Sequence, residues 1–279
     1  MAAAVKAPAT IISPLFLSHG SPTLPISDTP TRTFLEGLGR QISPVPKAIL
    51  AVSAHWTTSE PSVTLTNAPE TIHDFYGFPA VLYEQRYPVP GAPELARRTA
   101  SLLRAAGLPV REDKKRGLDH GAWVPLKLMY PEAQIPVVQL SVMPDKDAAF
   151  HFRLGQALAP LKEEGVLVMG SGGVVHNLGE VFGRTPAAKG DGNWARDFAD
   201  WLDLALMEKR FSDVCSYLEK APHARRAHPS PEHFLPLHVA LGAAGEDAEA
   251  RQLHDSWEFK VLGLTSYEFV PKGNVPVAA

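Results

Sequence analysis

Apolar residues are arranged along the chain in two alternating patterns. Short runs rich in β-branched residues are typical of buried strands, and longer stretches between them have apolar positions at helical spacing. The alternation of strands and helices predicts an α/β fold with a central, mostly parallel (mixed) sheet flanked by helices. Strands are predicted at residues 11–17, 48–56, 62–66, 135–142, 166–169 and 259–270, and helices at 31–40, 94–106, 122–130, 148–163, 193–210, 211–220 and 231–241.

The chain has 279 residues and no linker long enough to divide it, so we expect a single domain over residues 11–270 between flexible tails at 1–10 and 271–279. A net charge of −3 does not favour a nucleic-acid partner. We also expect no membrane partner, because no apolar run reaches the roughly 20 residues of a membrane helix. The start of the chain lacks the apolar core of a signal peptide, and the single cysteine, Cys215, suits a reducing compartment. A cytoplasmic location is therefore expected.

Four of the 11 histidines occupy equivalent places in the predicted fold. His19 and His55 end predicted strands, His176 follows a third strand, and His233 falls in the first turn of a helix that Ser230 is expected to cap. Ligands gather where the strands of an α/β sheet end, so these imidazoles are expected to face one another. Neutral imidazole is a common metal ligand, and the four positions together predict a metal site, although each histidine alone could be structural.

His120 is a fifth candidate, in the segment that leads into another predicted helix. The carboxylate of Asp119 beside it could orient a neighbouring imidazole, or it could cap the helix that begins near Ala122. The basic run at residues 114–116 could meet a substrate carboxylate or could be a solvated turn.

An aromatic loop at residues 71–79 contains Phe75, Tyr76 and Phe78, and Trp123 lies in the predicted helix after His120. These rings could line a pocket for a flat ligand, or they could pack against one another. We take Phe75 and Trp123, together with His120, as the predicted substrate-binding residues.

The glycine-rich segment 170–173 matches neither of two familiar motifs. A dinucleotide fingerprint needs a third glycine where the chain has Val175. A nucleophile elbow around Ser171 needs a glycine where the chain has Met169. The remaining interpretation is a turn that allows the backbone to approach a substrate closely.

Six segments, in this order along the chain, resemble the class III extradiol ring-cleavage dioxygenases, the fold family of the catalytic subunit of protocatechuate 4,5-dioxygenase. Within that family the chain looks most similar to the DOPA 4,5-dioxygenase type. The resemblance runs from about residue 15 to residue 269. The segments lie at residues 18–22, 52–56, 71–75, 118–121, 170–177 and 228–233.

The resemblance implies a role for each of the five histidines. His19 and His55 match the first two metal ligands, and His233 matches the third, where wider extradiol families have a carboxylate. His176 matches an acid/base histidine that lies close enough to the metal to be counted among its ligands. His120 matches a catalytic histidine that contacts the substrate.

The implied activity is an extradiol dioxygenase that adds both atoms of O2 to a single-ring, DOPA-like catechol and opens the ring next to the diol. The implied cofactor is Fe(II), but a site made only of imidazoles also suits Zn(II). A zinc-dependent hydrolase and a metal-stabilised binding protein are therefore the alternative interpretations. We expect a monomer or a small homo-oligomer.

Overall fold

The computed structural model describes residues 11–183, 193–274 and 276–277. Apolar runs with β-branched residues form the strands, most of them entirely buried. The strands are β1 (Leu15–Ser18), β2 (Ala48–Thr57), β3 (Ser62–Thr64), β4 (Arg111–Asp113), β5 (Val137–Val142), β6 (Val166–Gly172), β7 (Glu249–His254), β8 (Trp257–Glu258), β9 (Leu262–Gly263) and β10 (Ser266–Val270).

Within the described ranges, eight of these strands form one sheet in the order β4-β3-β5-β2-β6-β1-β10-β7, and β8 pairs with β9 separately. The four central strands β5, β2, β6 and β1 run parallel. Antiparallel pairs, β3 with β5 on one side and β10 with β1 and β7 on the other, make the sheet mixed. The predicted α/β class with a mostly parallel, mixed sheet is confirmed.

The helices occupy the connections between strands, and several begin at an Asp or Thr whose side chain accepts a backbone N–H. They are α1 (Pro30–Gln41), α2 (Ala80–Tyr83), α3 (Pro93–Ala105), α4 (His120–Met129), α5 (Ala148–Leu158), α6 (Leu178–Val181), α7 (Trp194–Met207), α8 (Phe211–Cys215), α9 (Tyr217–Lys220), α10 (Ala224–Ala227) and α11 (Leu235–Ala244). Two short 3-10 helices, Leu24–Ile26 and Ala159–Glu164, complete the set in the described chain.

The core lies on both faces of the sheet. Alternate residues of β2 point to opposite faces, so that Ile49 packs with α1 and α4 while Leu50 packs with α3, α5 and α11. Burial on both faces explains why the central strands are continuous apolar runs. Because helices cover the faces, ligands have access at the carboxyl edge of the parallel strands.

The helix predicted at residues 231–241 begins later than expected. Residues 231–234 form a turn closed by the N–H of Phe234, which donates to the carbonyl of Pro231. The hydroxyl of Ser230 donates to the Glu232 side chain and caps no backbone group, so the predicted N-cap is wrong. The consequence is that His233 lies in the turn just before α11 rather than inside the helix.

Other differences are small in extent. The predicted helix at 148–163 ends at Leu158 and continues as a 3-10 turn, and β6 extends through Gly172. The strands β4 and β7 and the helices α2, α6 and α10 were not predicted. The predicted tail at residues 1–10 lies outside the described residues, as does most of the loop at 183–192. In the predicted C-terminal tail, the side-chain amide of Asn274 donates to the carbonyl of Ile11.

None of the described helices is long and apolar enough to cross a membrane.

Candidate metal centre and active site

Five histidine side chains meet at the carboxyl edge of the central sheet. His19 directly follows β1, His55 lies near the end of β2, and His176 follows β6 after a short turn. Since β2, β6 and β1 are adjacent and parallel, their ends bring these three imidazoles to one place. His120 enters as the first residue of α4, and His233 enters from the turn before α11.

The rings of these histidines lie close together. The Nε2 atoms of His19 and His55 are 3.0 Å apart, and the ring centres of His55 and His120 are 3.9 Å apart. His176 and His233 stack with their ring centres 3.5 Å apart and their planes at 7°. The ring centres of His19 and His233 are 5.4 Å apart, so the stacked pair of His176 and His233 lies beside the other three rings.

Hydrogen bonds behind the rings set the direction of the Nε2 atoms. The Ser171 hydroxyl donates to the carbonyl of Gly121, so at its 3.0 Å contact with His19 it accepts the Nδ1 proton of the ring. The Nδ1 atom of His233 lies 3.0 Å from a carboxylate oxygen of Glu232 and donates to it in the same way. Both rings therefore carry their proton on Nδ1 and present a lone pair on Nε2.

Asp74, which lies in the aromatic loop, contacts two further imidazoles. One carboxylate oxygen lies 2.9 Å from His120 Nδ1 and 3.5 Å from His55 Nδ1. Its other oxygen accepts the backbone N–H of His120 at 2.9 Å. Asp74 therefore holds the ring of His120 and also contacts that of His55.

Burial keeps four of these histidines uncharged. It lowers the pKa of His55 to about 3 and that of His176 to about 4. Burial, together with the neighbouring histidines, also holds the pKa values of His19 and His233 well below the ordinary range. These four imidazoles are neutral near pH 7, and the neutral ring is the form that binds a metal.

The donor set fits a metal ion. The Nε2 atoms of His19 and His55 face each other across 3.0 Å on the cavity side, where a cation between them would bind both. Two imidazole nitrogens bound at right angles to one metal at about 2.1 Å lie about 3.0 Å apart. The Nε2 atom of His233 is buried and has no hydrogen-bond partner, which also indicates a ligand outside the protein.

The structure distributes the predicted metal ligands over two adjoining groups. In the first, the ligand atoms of His19, His55 and His120 all lie within 4.8 Å of one another. In the second, the same holds for His176, His233 and the carboxylate of Glu232. Sequence reasoning placed His120 with the substrate and did not single out Glu232.

The histidines open into a cavity of about 1040 Å³. All five line it, and the glycine-rich segment, with Gly172 and Gly173, forms part of its wall, as predicted from the close backbone approach that glycine allows. A single aromatic ring fits such a volume with room for a side chain. Other lining residues include Tyr76, Phe78, Asn177, Phe182, Glu258 and Phe259.

The predicted aromatic walls need a correction. Phe75 and Trp123 do not line the cavity, because both side chains are buried in the core between the sheet and α4. Phe75 packs edge-on against His120 with ring centres 5.8 Å apart, and the indole N–H of Trp123 donates to the carbonyl of Ile72. The other two aromatic residues considered as walls, Tyr76 and Phe78, line the cavity.

Asp119 caps α4, and its carboxylate is hydrogen-bonded to groups other than the imidazoles. Its carboxylate accepts the N–H of Ala122, the hydroxyl of Ser53 and the guanidinium of Arg116. Arg116 also lies over the ring of Trp56, 4.8 Å from its centre. Residues 114–116 do not line the cavity, which favours the interpretation of this basic run as a surface turn over a contact with a substrate carboxylate.

Residues 14–270 match the model of a protein family described as the catalytic LigB subunit of aromatic ring-opening dioxygenase. The chain belongs to this family. Its members are metal-dependent extradiol ring-cleaving enzymes, so the protein is an oxidoreductase of the dioxygenase class, as the sequence motifs predicted.

Relatives within the family match nearly the whole chain. The 4,5-DOPA dioxygenase extradiol of Beta vulgaris is 52% identical over 91% of this chain and 95% of its own length. The protein of the same name from Portulaca grandiflora is 49% identical over 91% and 94%, and that from Escherichia coli K12 is 43% identical over 82% and 84%. A crystal structure of an uncharacterized protein from Escherichia coli K12 superimposes with a TM-score of 0.73 at 36% identity and covers 92% of this chain and 99% of that one.

Sequence reasoning missed the residues that orient the histidines. Asp74 adjoins His73 in the aromatic loop, and its acidic side chain among aromatic residues was the one available signal. Ser171 was considered only as a nucleophile, although a hydroxyl one position before the end of a buried strand can also bind a histidine that follows the neighbouring strand. Glu258 lies in the short strand β8 and had no signal in the sequence.

Proposed function

We propose that the protein opens the ring of a single-ring, DOPA-like catechol next to the diol, with addition of both atoms of O2. The site is proposed to use Fe(II), held by His19, His55 and His233. The observation that supports this proposal most strongly is the pair of Nε2 atoms of His19 and His55 that face each other at 3.0 Å, beside the buried, unpartnered Nε2 of His233.

When bound, Fe(II) holds the diol and dioxygen next to each other and passes electron density between them. Three imidazoles leave coordination positions open for these two reactants. Their own supports, Ser171 behind His19 and Glu232 behind His233, hold the Nε2 atoms on the cavity side. Zn(II) is proposed to enter the same all-imidazole site without supporting the oxidative reaction.

Proton transfer is assigned to the two histidines that the metal does not require. His176 lies against His233 and lines the cavity, where its neutral ring can accept a proton from the catechol and return it later in the reaction. His120 lies on the other side, 3.9 Å from the His55 ring, and is proposed to contact the substrate hydroxyl.

The substrate proposal rests on the relatives and on the charges of the cavity. Three relatives from plants and bacteria are named for 4,5-DOPA cleavage. Among the described lining residues, the charged side chains other than histidine are Glu232 and Glu258. Glu232 is bound to His233, which leaves the half-buried Glu258 to meet the ammonium group of an amino-acid catechol.

The experiment reconstitutes the metal-free protein with Fe(II) under anaerobic conditions and then adds air-saturated catechols. We compare kcat/KM for DOPA, for its decarboxylated amine, for a catechol without an amine and for a bicyclic diol. The single-ring amines are expected to react fastest. A preference for the bicyclic diol would contradict the single-ring proposal, and equal values for the amine and the amine-free catechol would remove Glu258 from substrate recognition.

We also propose a cytoplasmic location. The single cysteine suits a reducing cytoplasm, where Fe(II) is also maintained. We propose a monomer or small homo-oligomer, which size-exclusion chromatography with light scattering would distinguish.

A further inference from the structure

Asp74 binds His120 at two points. One carboxylate oxygen accepts the backbone N–H of His120 at 2.9 Å, and the other lies 2.9 Å from Nδ1 of the same residue. Because both oxygens are held by one residue, the carboxylate cannot turn without losing a hydrogen bond. The ring of Phe75 packs edge-on against His120 and restricts the imidazole as well.

The same carboxylate reaches a second imidazole. The oxygen that binds His120 Nδ1 lies 3.5 Å from Nδ1 of His55. Both rings thus turn Nδ1 towards Asp74, and His55 turns Nε2 towards His19 at 3.0 Å. A charged carboxylate only accepts hydrogen bonds, so the proton of each ring belongs on Nδ1.

Both oxygens of Asp74 are turned towards nitrogen atoms, one towards the backbone N–H of His120 and the other towards the Nδ1 atoms of two rings. In its ordinary ionised form an aspartate has no proton to offer to either ring. The tautomer of both imidazoles is therefore imposed by one side chain.

We propose that Asp74 is a positioning residue that fixes His120 and His55 as their Nδ1–H tautomers. The Nε2 lone pair of His55 is thereby prepared for the metal, and that of His120 for the hydroxyl of the substrate. The tautomer assignment stands on the contacts of Asp74 alone, while its consequence for turnover rests on the proposed function.

The substitution Asp74→Asn separates this role from simple packing. The backbone N–H of His120 requires an oxygen on its side of the new amide, so the NH2 group would face His120 Nδ1. An NH2 group donates, and it would force the proton of His120 from Nδ1 to Nε2. Asp74→Asn changes the shape of the side chain less than Asp74→Ala does, but we expect it to lower turnover more. Asp74→Ala leaves the ring of His120 free to adopt either tautomer.

The first readout is independent of catalysis. The ring nitrogens of His120 are assigned by 15N NMR in the zinc-loaded protein, with His120→Gln used to identify the signals. The native protein is expected to carry the proton on Nδ1, and Asp74→Asn on Nε2. A native His120 with its proton on Nε2 would overturn the proposal, whatever the variants do.

The second readout compares turnover with metal content in the Fe(II) protein. Loss of an orienting side chain beside a metal typically costs 10- to 100-fold, and we expect kcat/KM of Asp74→Asn to fall by roughly that factor. Most of the metal should remain, because the contact with His55 is the longer one. Asp74→Ala is expected to lose less than Asp74→Asn, and the exposed Asp200→Asn on α7 should behave as the native protein.

The NMR measurement tests the tautomer assignment, and the turnover measurement tests its consequence for catalysis. If Asp74→Ala loses more turnover than Asp74→Asn, packing explains the residue and the positioning role is wrong. If the native protein turns over no catechol but His120 carries its proton on Nδ1, the proposed function fails and the tautomer assignment stands.

Discussion

His120 and His233 compete for the third place beside His19 and His55. The ligand atoms of His120 lie within 4.8 Å of those of the first two histidines, whereas His233 groups with His176. The imidazole of His120, however, is held at Nδ1 by Asp74, whereas the buried Nε2 of His233 has no hydrogen-bond partner. A buried nitrogen without a partner is unfavourable unless a ligand satisfies it, and this favours His233 as the ligand.

The first prediction follows from that choice. We expect His233→Ala and His55→Ala to lose the bound metal, and His120→Ala to retain most of it with reduced turnover. Metal per protein is measured by atomic emission after dialysis against a weak chelator. Retention in His233→Ala combined with loss in His120→Ala would give the third place to His120.

The second prediction concerns His176, whose ring stacks on His233 at 3.5 Å. His176→Ala is expected to keep its metal and to lose roughly 10²- to 10⁴-fold in kcat, the usual contribution of a general acid–base. The exposed His223→Ala serves as the control. Loss of metal in His176→Ala would make His176 a ligand, and native turnover would remove it from the mechanism.

At the scale of elements, the contact between β6 and the turn before α11 sets the position of His233. The N–H of Gly173 donates to the carbonyl of His233 at 2.9 Å. A Cβ atom built on Gly172 would lie 2.0 Å from that same carbonyl oxygen, which is far inside van der Waals contact. Glycine at this position therefore allows the strand and the turn to approach each other.

The third prediction is that Gly172→Ala displaces the turn. We expect its free energy of unfolding to fall by about 1–3 kcal/mol, as in other overpacked sites, and its metal affinity to fall as well. Gly173→Ala is the matched control, since a Cβ there would meet its nearest neighbour, the His176 side chain, at 3.7 Å. Equal stabilities of the two variants in urea unfolding would contradict the argument.

The sequence predicts the central elements well for a physical reason. Strands β2, β5 and β6 are buried on both faces, so their continuous apolar runs are visible without knowledge of their partners. The edge strand β4 is three partly exposed polar residues, and it exists because β3 pairs with it. Such an element has no local signal.

The positions of site residues could be predicted from the sequence where those residues lie at the ends of strands. His19 and His55 could be placed because they end strands. The choice between Phe75 and Tyr76 as a cavity wall depends on the backbone of an irregular loop, and a sequence does not contain that information in a readable form. Ser230 is not an N-cap because its hydroxyl donates to the Glu232 carboxylate instead of accepting a backbone N–H.

At the scale of the whole molecule, the fold buries histidines beyond the site. Burial lowers the pKa of His228 to about 3 and those of His151 and His238 to about 4. In the unfolded chain each of these rings titrates near pH 6.5. Below that pH the unfolded state binds more protons than the folded state, so the free energy of unfolding falls as the pH falls.

The fourth prediction is a loss of stability between pH 6.5 and about pH 4. Each buried histidine contributes up to about 1.4 kcal/mol per pH unit in this window, and none of its contribution is lost above it. Urea unfolding of the metal-free protein at several pH values measures the effect. His151→Gln is expected to flatten the dependence, whereas the exposed His223→Gln is not. A stability that stays constant down to pH 5 would contradict this account.

The most direct test of the proposed activity is the stoichiometry of oxygen use. An oxygen electrode and an absorbance spectrum follow the Fe(II)-loaded protein together as a limiting amount of DOPA is consumed. One O2 should disappear per DOPA, a yellow ring-opened product should form in equal amount, and added catalase should return no oxygen. Release of hydrogen peroxide, or a Zn(II) protein that cleaves esters while the Fe(II) protein takes up no oxygen, would contradict the central claim.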